Sequence, residues 1–228
     1  MHACIDWSRI NLVVFDVDGT LYRQRPVRLH MARDLVQFSL REGRLDVIRV
    51  LRAFRRIREE LAEAEIENFE AVLLERTAMA GGCSVGRVVS IVEEWIEKRP
   101  LTYVAAARYA GLNEVLAGIR RAGKRIGILS DYAPAAKLRV LDISPDFAVS
   151  AEDDAVHLLK PHPRGLDTIM SLAGVTASAT CMIGDRKERD GLAARRAGAA
   201  CLIRAPRETA GWLSFKDYSD PVFETFRH

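Results

Sequence analysis

Residues 12–21, Leu-Val-Val-Phe-Asp-Val-Asp-Gly-Thr-Leu, constrain this chain more than any other stretch. The apolar run is short and β-branched, so it reads as a strand buried on both faces that ends where two carboxylates begin, with Gly19 closing it. Strand alternation would put Asp16 and Asp18 on one side, but the turn that starts there is free to re-aim them. Two carboxylates held this close repel each other. A fold keeps such a pair only with a cation or for acid/base work.

After Thr20 the apolar period changes from 2 to 3.6 and stays helical for some eighty residues, as expected of an insert. A first helix spans about Val27 to Leu40, ending near Gly43. A second starts near Leu45 and repeats Val47, Val50, Leu51, Phe54, Ile57 and Leu61. A third carries Ile66, Phe69, Val72 and Leu73 up to Gly81. A fourth has Ser84 at its N-cap and finishes before Pro100. Four such helices suggest a small bundle. Arg49, Arg52 and Arg56 share a face of the second helix, with Arg41, Arg44, Arg55 and Arg58 nearby. A basic face can bind an anionic substrate or nucleic acid, but Glu59, Glu60, Glu63, Glu65, Glu67 and Glu70 follow at once, so a solvated, internally neutralised face is expected.

From Leu112 onward strands and helices alternate: strands at 125–129, 147–150, 180–183 and 199–203, with helices between them. Alternation of this kind argues for a parallel sheet with helices on both faces and ligands at the carboxyl ends of the strands. The tail beyond Arg204 is aromatic and irregular and takes no assignment. With 228 residues, 49% hydrophobic and 29% charged, the chain has the length and composition of a globular core plus a companion body. No run is long and apolar enough for a membrane helix, and the N-terminus lacks the pattern of a secretion signal, so a cytoplasmic protein is expected. The four cysteines show no C-x-x-C spacing and read as core or loop residues. A net charge of +3 is too slight to imply nucleic acid.

The polar residues that follow each apolar strand are Asp16 and Asp18, then Ser130, then Asp185 with Asp190, and Lys160 falls in the loop between the last two sets. One sheet edge gathers them all. A carboxylate nucleophile, a second carboxylate, a hydroxyl, an ammonium group and metal-binding carboxylates are the parts needed for phosphoryl transfer through an aspartyl-phosphate.

In these motifs and their order, Asp16-Val17-Asp18-Gly19-Thr20, Ser130, Lys160-Pro161-His162-Pro163 and Gly184-Asp185 through Asp190, the chain resembles the haloacid dehalogenase superfamily of hydrolases. The resemblance spans nearly everything but the tail. It implies a three-layer α/β fold, a Rossmann-like parallel sheet core formed by residues 1–21 and 108–228, with an inserted α-helical cap domain at 22–107. It further implies that Asp16 is the nucleophile and Asp18 the acid/base. Thr20, Ser130, Asp131 and Lys160 would surround the phosphoryl group, and Mg²⁺ would be held by Asp16, the Asp18 carbonyl and Asp185 with support from Asp190. Asp18 favours phosphatase or phosphomutase over dehalogenase, because a halide leaves without a proton.

Asp131 stands where many relatives have asparagine, and Arg186 where serine or threonine is frequent. His157 and His162 flank Lys160 and read as surface or helix-start residues. The expectation is a Mg²⁺-dependent phosphatase of a small phosphorylated metabolite. A phosphosugar mutase and a non-catalytic binding protein of the same fold are the alternatives. Cap loops would set the substrate, with Arg23, Arg25 and the Gly81-Gly82-Cys83 break as candidates.

Overall fold

The computed structural model describes residues 5–227; Cys4 lies outside them. Its centre is a six-stranded sheet in the order β3-β2-β1-β4-β5-β6, with every pairing parallel. The strands are β1 (Leu12–Phe15), β2 (Arg125–Ser130), β3 (Phe147–Ser150), β4 (Thr180–Gly184), β5 (Ala200–Arg204) and β6 (Ser214–Phe215). The chain winds from β1 one way to β2 and β3, then crosses back to β4 on the other side of β1. That reversal opens a crevice at the carboxyl ends of β1 and β4.

All four β1 side chains are buried, as the unbroken apolar run requires. Val13 and Phe15 face the layer that holds α6 (Leu112–Arg121), while Leu12 and Val14 pack with Leu166, Ile169 and Met170 of α8 (Arg164–Ala173). Period-two alternation thus feeds two helical layers. Two short helices, α7 (Ala135–Val140) and α9 (Leu192–Ala197), complete the crossovers.

Between β1 and α6 lies the helical insert: α1 (Gln24–Glu42), α2 (Asp46–Glu63), α3 (Phe69–Gly81), α4 (Val85–Val92) and α5 (Leu101–Ala107). It departs from the sequence reading in two places. The third helix begins at Phe69, and Ile66 lies before it, because Glu65 and Asn68 both adopt positive φ (49° and 53°) and turn the chain there. The fourth runs from α4 through a π-helical turn at Glu93–Lys98 and finishes before Pro100 as expected, but a fifth helix that the pattern did not give then follows Pro100. Ser84 does cap α4, its side chain accepting from Arg87 N at 3.2 Å.

The tail is ordered. Phe215 enters β6, and Tyr218, Phe223 and Phe226 are buried in an aromatic cluster with Trp7, where Phe215 and Phe223 meet edge-to-face at 4.9 Å. The tail reaches the first motif, since the Tyr218 hydroxyl donates to Thr20 O at 3.0 Å. Gly118 of α6 makes this docking possible, because a Cβ there would overlap the Phe226 carbonyl. Cys83, Cys181 and Cys201 are free thiols, and burial pushes the Cys181 thiol up to about 12. No described helix is long and apolar enough to cross a membrane.

Candidate active site

Asp16 sits one residue past β1, its backbone N–H donating to Ile183 O of β4 at 2.8 Å, so the sheet ladder itself fixes the carboxylate. Lys160 Nζ lies 2.6 Å from Asp16 Oδ1 and 2.7 Å from Asp190 Oδ1. All three side chains are almost fully buried. Burial lowers the proton affinity of an ammonium, but Asp16 and Asp190 outweigh it and hold Lys160 well above its ordinary range. Burial pushes the Asp16 carboxyl well above the usual carboxylate range; Lys160 opposes the rise, while Asp190 and Asp185 add to it.

Asp18 faces a different cation. Lys137 Nζ of α7 lies 2.6 and 2.7 Å from its two carboxylate oxygens, and the Tyr22 hydroxyl donates to Oδ1. Burial would raise this carboxyl, yet Lys137 and Tyr22 together hold it below the ordinary range. The turn therefore does re-aim the pair, one carboxylate to each lysine. Neither Lys137 nor Tyr22 is marked in the sequence by more than its place, one in a helix after Ser130 and the other four residues past Asp18.

Asp185 follows β4. Burial first and Asp190 second lift its carboxyl to about 6, against the pull of Arg204 and Lys160. Arg204 Nη2 stands 4.0 Å from Asp185 Oδ2. Asp190 anchors the loop, its Oδ2 accepting from the backbone N–H groups of Asp185 (3.1 Å) and Arg186 (3.0 Å). Gly19, at φ +97°, lets the first motif pass this group, since a Cβ there would overlap the Asp185 carboxylate. Carboxylate oxygens of Asp16, Asp185 and Asp190 all lie within 4.8 Å of one another. An all-oxygen donor set with uncompensated charge fits a hard divalent cation such as Mg²⁺. Of these three, Asp185 has the most distant cation, Arg204 at 4.0 Å, against Lys160 at 2.6 and 2.7 Å for Asp16 and Asp190.

Ser130 and Asp131 line the same cavity, with Ser130 Oγ accepting from Tyr132 N at 3.2 Å and Asp131 Oδ1 from Lys160 N at 3.2 Å. Thr20, expected at the phosphoryl group, is instead fully buried behind Asp16 and donates to Asp16 Oδ2 at 3.1 Å. It does not line the cavity. His162 Nδ1 accepts from Arg164 N at the start of α8, and His157 pairs with Glu70 at 3.5 Å; both stand outside the cavity.

The cavity, about 460 Å³, lies between these strand ends and helices α1 and α2. The solvated arginine face is realised only in part. Arg56 pairs with Glu60 at 2.6 Å, but Arg52, Arg55 and Arg58 turn toward the cavity. Three of the glutamates reach across to the core instead: Glu59 meets Arg186 at 2.8 and 2.9 Å and also Arg189, Glu65 meets Arg196, and Glu67 meets Arg164. Arg58 stacks over Tyr132 at 4.0 Å and donates to Asp131 O. The candidates Arg23, Arg25 and the Gly81-Gly82-Cys83 break do not line this cavity.

Residues 10–198 match the family model described as haloacid dehalogenase-like hydrolase. The chain belongs to that family. A phosphoglycolate phosphatase of Pseudomonas fluorescens is 27% identical over 199 residues, covering 84% of this chain and 68% of the relative. Among solved structures, the 2-haloacid dehalogenase of Pseudomonas syringae superposes with a TM-score of 0.64 at 20% identity, over 92% of this chain and 95% of that one. A putative hydrolase of the family from Bacillus subtilis, crystallised with magnesium, gives 0.66 at 13%, over 92% and 96%. At these identities the haloacid dehalogenase-like fold is what the structures share with this chain.

Proposed function

We propose that this hydrolase is a Mg²⁺-dependent phosphomonoesterase that works through an aspartyl-phosphate, with residues 22–107 acting as a cap over the site. The observation that carries the reading is the presence of two carboxylates in one cavity on separate lysines, Asp16 on Lys160 and Asp18 on Lys137. Asp18 matters most for the choice of chemistry. An alkoxide leaving group needs a proton and a halide does not, and the phosphatase matched by sequence points the same way.

In this reading an Asp16 oxygen attacks phosphorus and the ester P–O bond breaks. Asp18 hands its proton to the departing oxygen, the incoming phosphoryl charge having raised its proton affinity. Water then attacks phosphorus, Asp18 takes its proton, and the bond to Asp16 breaks with release of inorganic phosphate. Ser130 and Lys160 hold phosphoryl oxygens in line, and positioning and charge stabilisation supply most of the acceleration. Asp16, the Asp18 carbonyl and Asp185 would hold Mg²⁺, with Asp190 fixing the loop and Lys160. When bound, the ion neutralises charge on the phosphoryl oxygens and the crowded carboxylates.

The test is a panel of phosphate esters assayed with and without Mg²⁺ on the wild type and on Asp16→Asn. Phosphate release that needs Mg²⁺ and vanishes in the variant is expected. Turnover retained by Asp16→Asn overturns the nucleophile assignment.

A further inference from the structure

The cavity extends well above the catalytic floor, and its character changes with height. Helix α2 is pinned at the floor by Glu59, through Arg186 at 2.8 Å. At about 1.5 Å per residue along the α2 axis, Arg55 lies roughly 6 Å from Glu59, Arg52 roughly 10 Å and Ile48 roughly 16 Å. Helix α1, which begins at Gln24, lines the same cavity with Arg28 about one turn from its start and with Leu35 and Val36 about three turns from it. Trp95, Ile96 and Pro100 also line the cavity.

At the floor the cations are already engaged by carboxylates: Lys160 by Asp16 and Asp190, Lys137 by Asp18, Arg186 and Arg189 by Glu59. One to two turns higher, Arg28, Arg52 and Arg55 line the same space, and among the described residues none of the three makes a hydrogen bond or ion pair. Of the glutamates near α2, Glu60 is taken by Arg56, and Glu59, Glu65 and Glu67 are committed to core arginines. Three guanidinium groups around one space suit an anion that takes two or more charge-assisted hydrogen bonds. Above them the wall is apolar, with Leu35, Val36, Ile48 and Ile96. A volume of about 460 Å³ exceeds what a two- or three-carbon ester fills and falls in the range of larger ligands.

We propose that Arg28, Arg52 and Arg55 form a second anion subsite, and that the substrate is a phosphate monoester whose leaving alcohol carries a carboxylate or second phosphate followed by an apolar body. This rests on the phosphomonoesterase reading and narrows its substrate class. The anion is read within one to two helical turns of the phosphorus, and the hydrocarbon or ring part packs against the upper wall.

The experiment compares esters matched in leaving-group basicity: a short neutral one, a short carboxylated one, a long apolar neutral one, and long apolar ones bearing a carboxylate or a second phosphate. The long anionic esters should exceed the long neutral one in kcat/KM by about tenfold or more, and should also exceed the short carboxylated ester. Arg52→Gln and Arg55→Gln should each shrink the anionic-to-neutral ratio several-fold, chiefly through KM, and Arg55→Lys should restore part of it. Whether carboxylate or phosphate gains more identifies the second anion.

Calorimetric binding of the same esters to Asp16→Asn repeats the comparison without turnover. Equal binding and hydrolysis of neutral and anionic esters, or a preference untouched by the glutamine variants, overturns the subsite. A short carboxylated ester that outperforms every long one overturns the apolar part. Selective binding without hydrolysis of any ester overturns the phosphatase reading and leaves the subsite standing.

Discussion

Lys160 and Asp16 are 144 positions apart in sequence and 2.6 Å apart in space, with Asp190 at 2.7 Å on the other side of the same ammonium. Removing that ammonium leaves two buried carboxylates facing each other. Lys160→Met should therefore lose about 3–5 kcal/mol of stability and nearly all turnover. Urea unfolding and phosphate release measure the two effects, and a variant as stable as the wild type would contradict the central role of this pair.

Lys137 bonds both oxygens of Asp18 from a helix the motifs do not include. Lys137→Met should lower kcat by about 10- to 100-fold on esters with poor leaving groups, where proton transfer limits the rate. The loss should be smaller on a nitrophenyl ester, which departs without a proton. Equal losses on both would show that Lys137 serves stability alone.

Glu59 joins the helical insert to the strand-bearing core, and its hydrogen bonds to Arg186, with Arg189 also contributing, bring its carboxyl down to about 2 from 4.5. A depressed folded-state value means stability that is complete above pH 4.5 and lost as pH falls toward 2. Glu59→Gln should accordingly be less stable than the wild type at neutral pH, and the gap should narrow below pH 4.5. Thermal unfolding across pH 7 to 3 checks this; a constant gap would rule out the ion pair as its source.

Phe223 is fully buried between Phe215 and Tyr218, and Tyr218 in turn holds the carbonyl of Thr20. Phe223→Ala should cost about 3–5 kcal/mol. Through Tyr218 it should also lower turnover, which a kinetic assay on the residual folded fraction resolves. Full activity with lowered stability would confine the tail to a structural role.

What the sequence determined by itself was the chain's grammar. The doubly buried strand, the switch from period 2 to 3.6 after Thr20 and the polar residues after each later strand are local patterns, and local patterns survive in one dimension. They were enough to place Asp16, Asp18, Ser130, Lys160 and Asp185 on one sheet edge. The tail was unreadable because its aromatics have no period and acquire meaning only against Trp7 and α6.

Partnership was decided only in three dimensions. Lys137 on Asp18, Thr20 behind Asp16, and Glu59 on Arg186 instead of on its neighbouring arginines all depend on how helices from distant segments meet. An i,i+4 rule can foresee Arg56 with Glu60, because both lie on one helix. It cannot foresee which face of α2 meets the core, and that orientation leaves Arg52 and Arg55 open to the cavity.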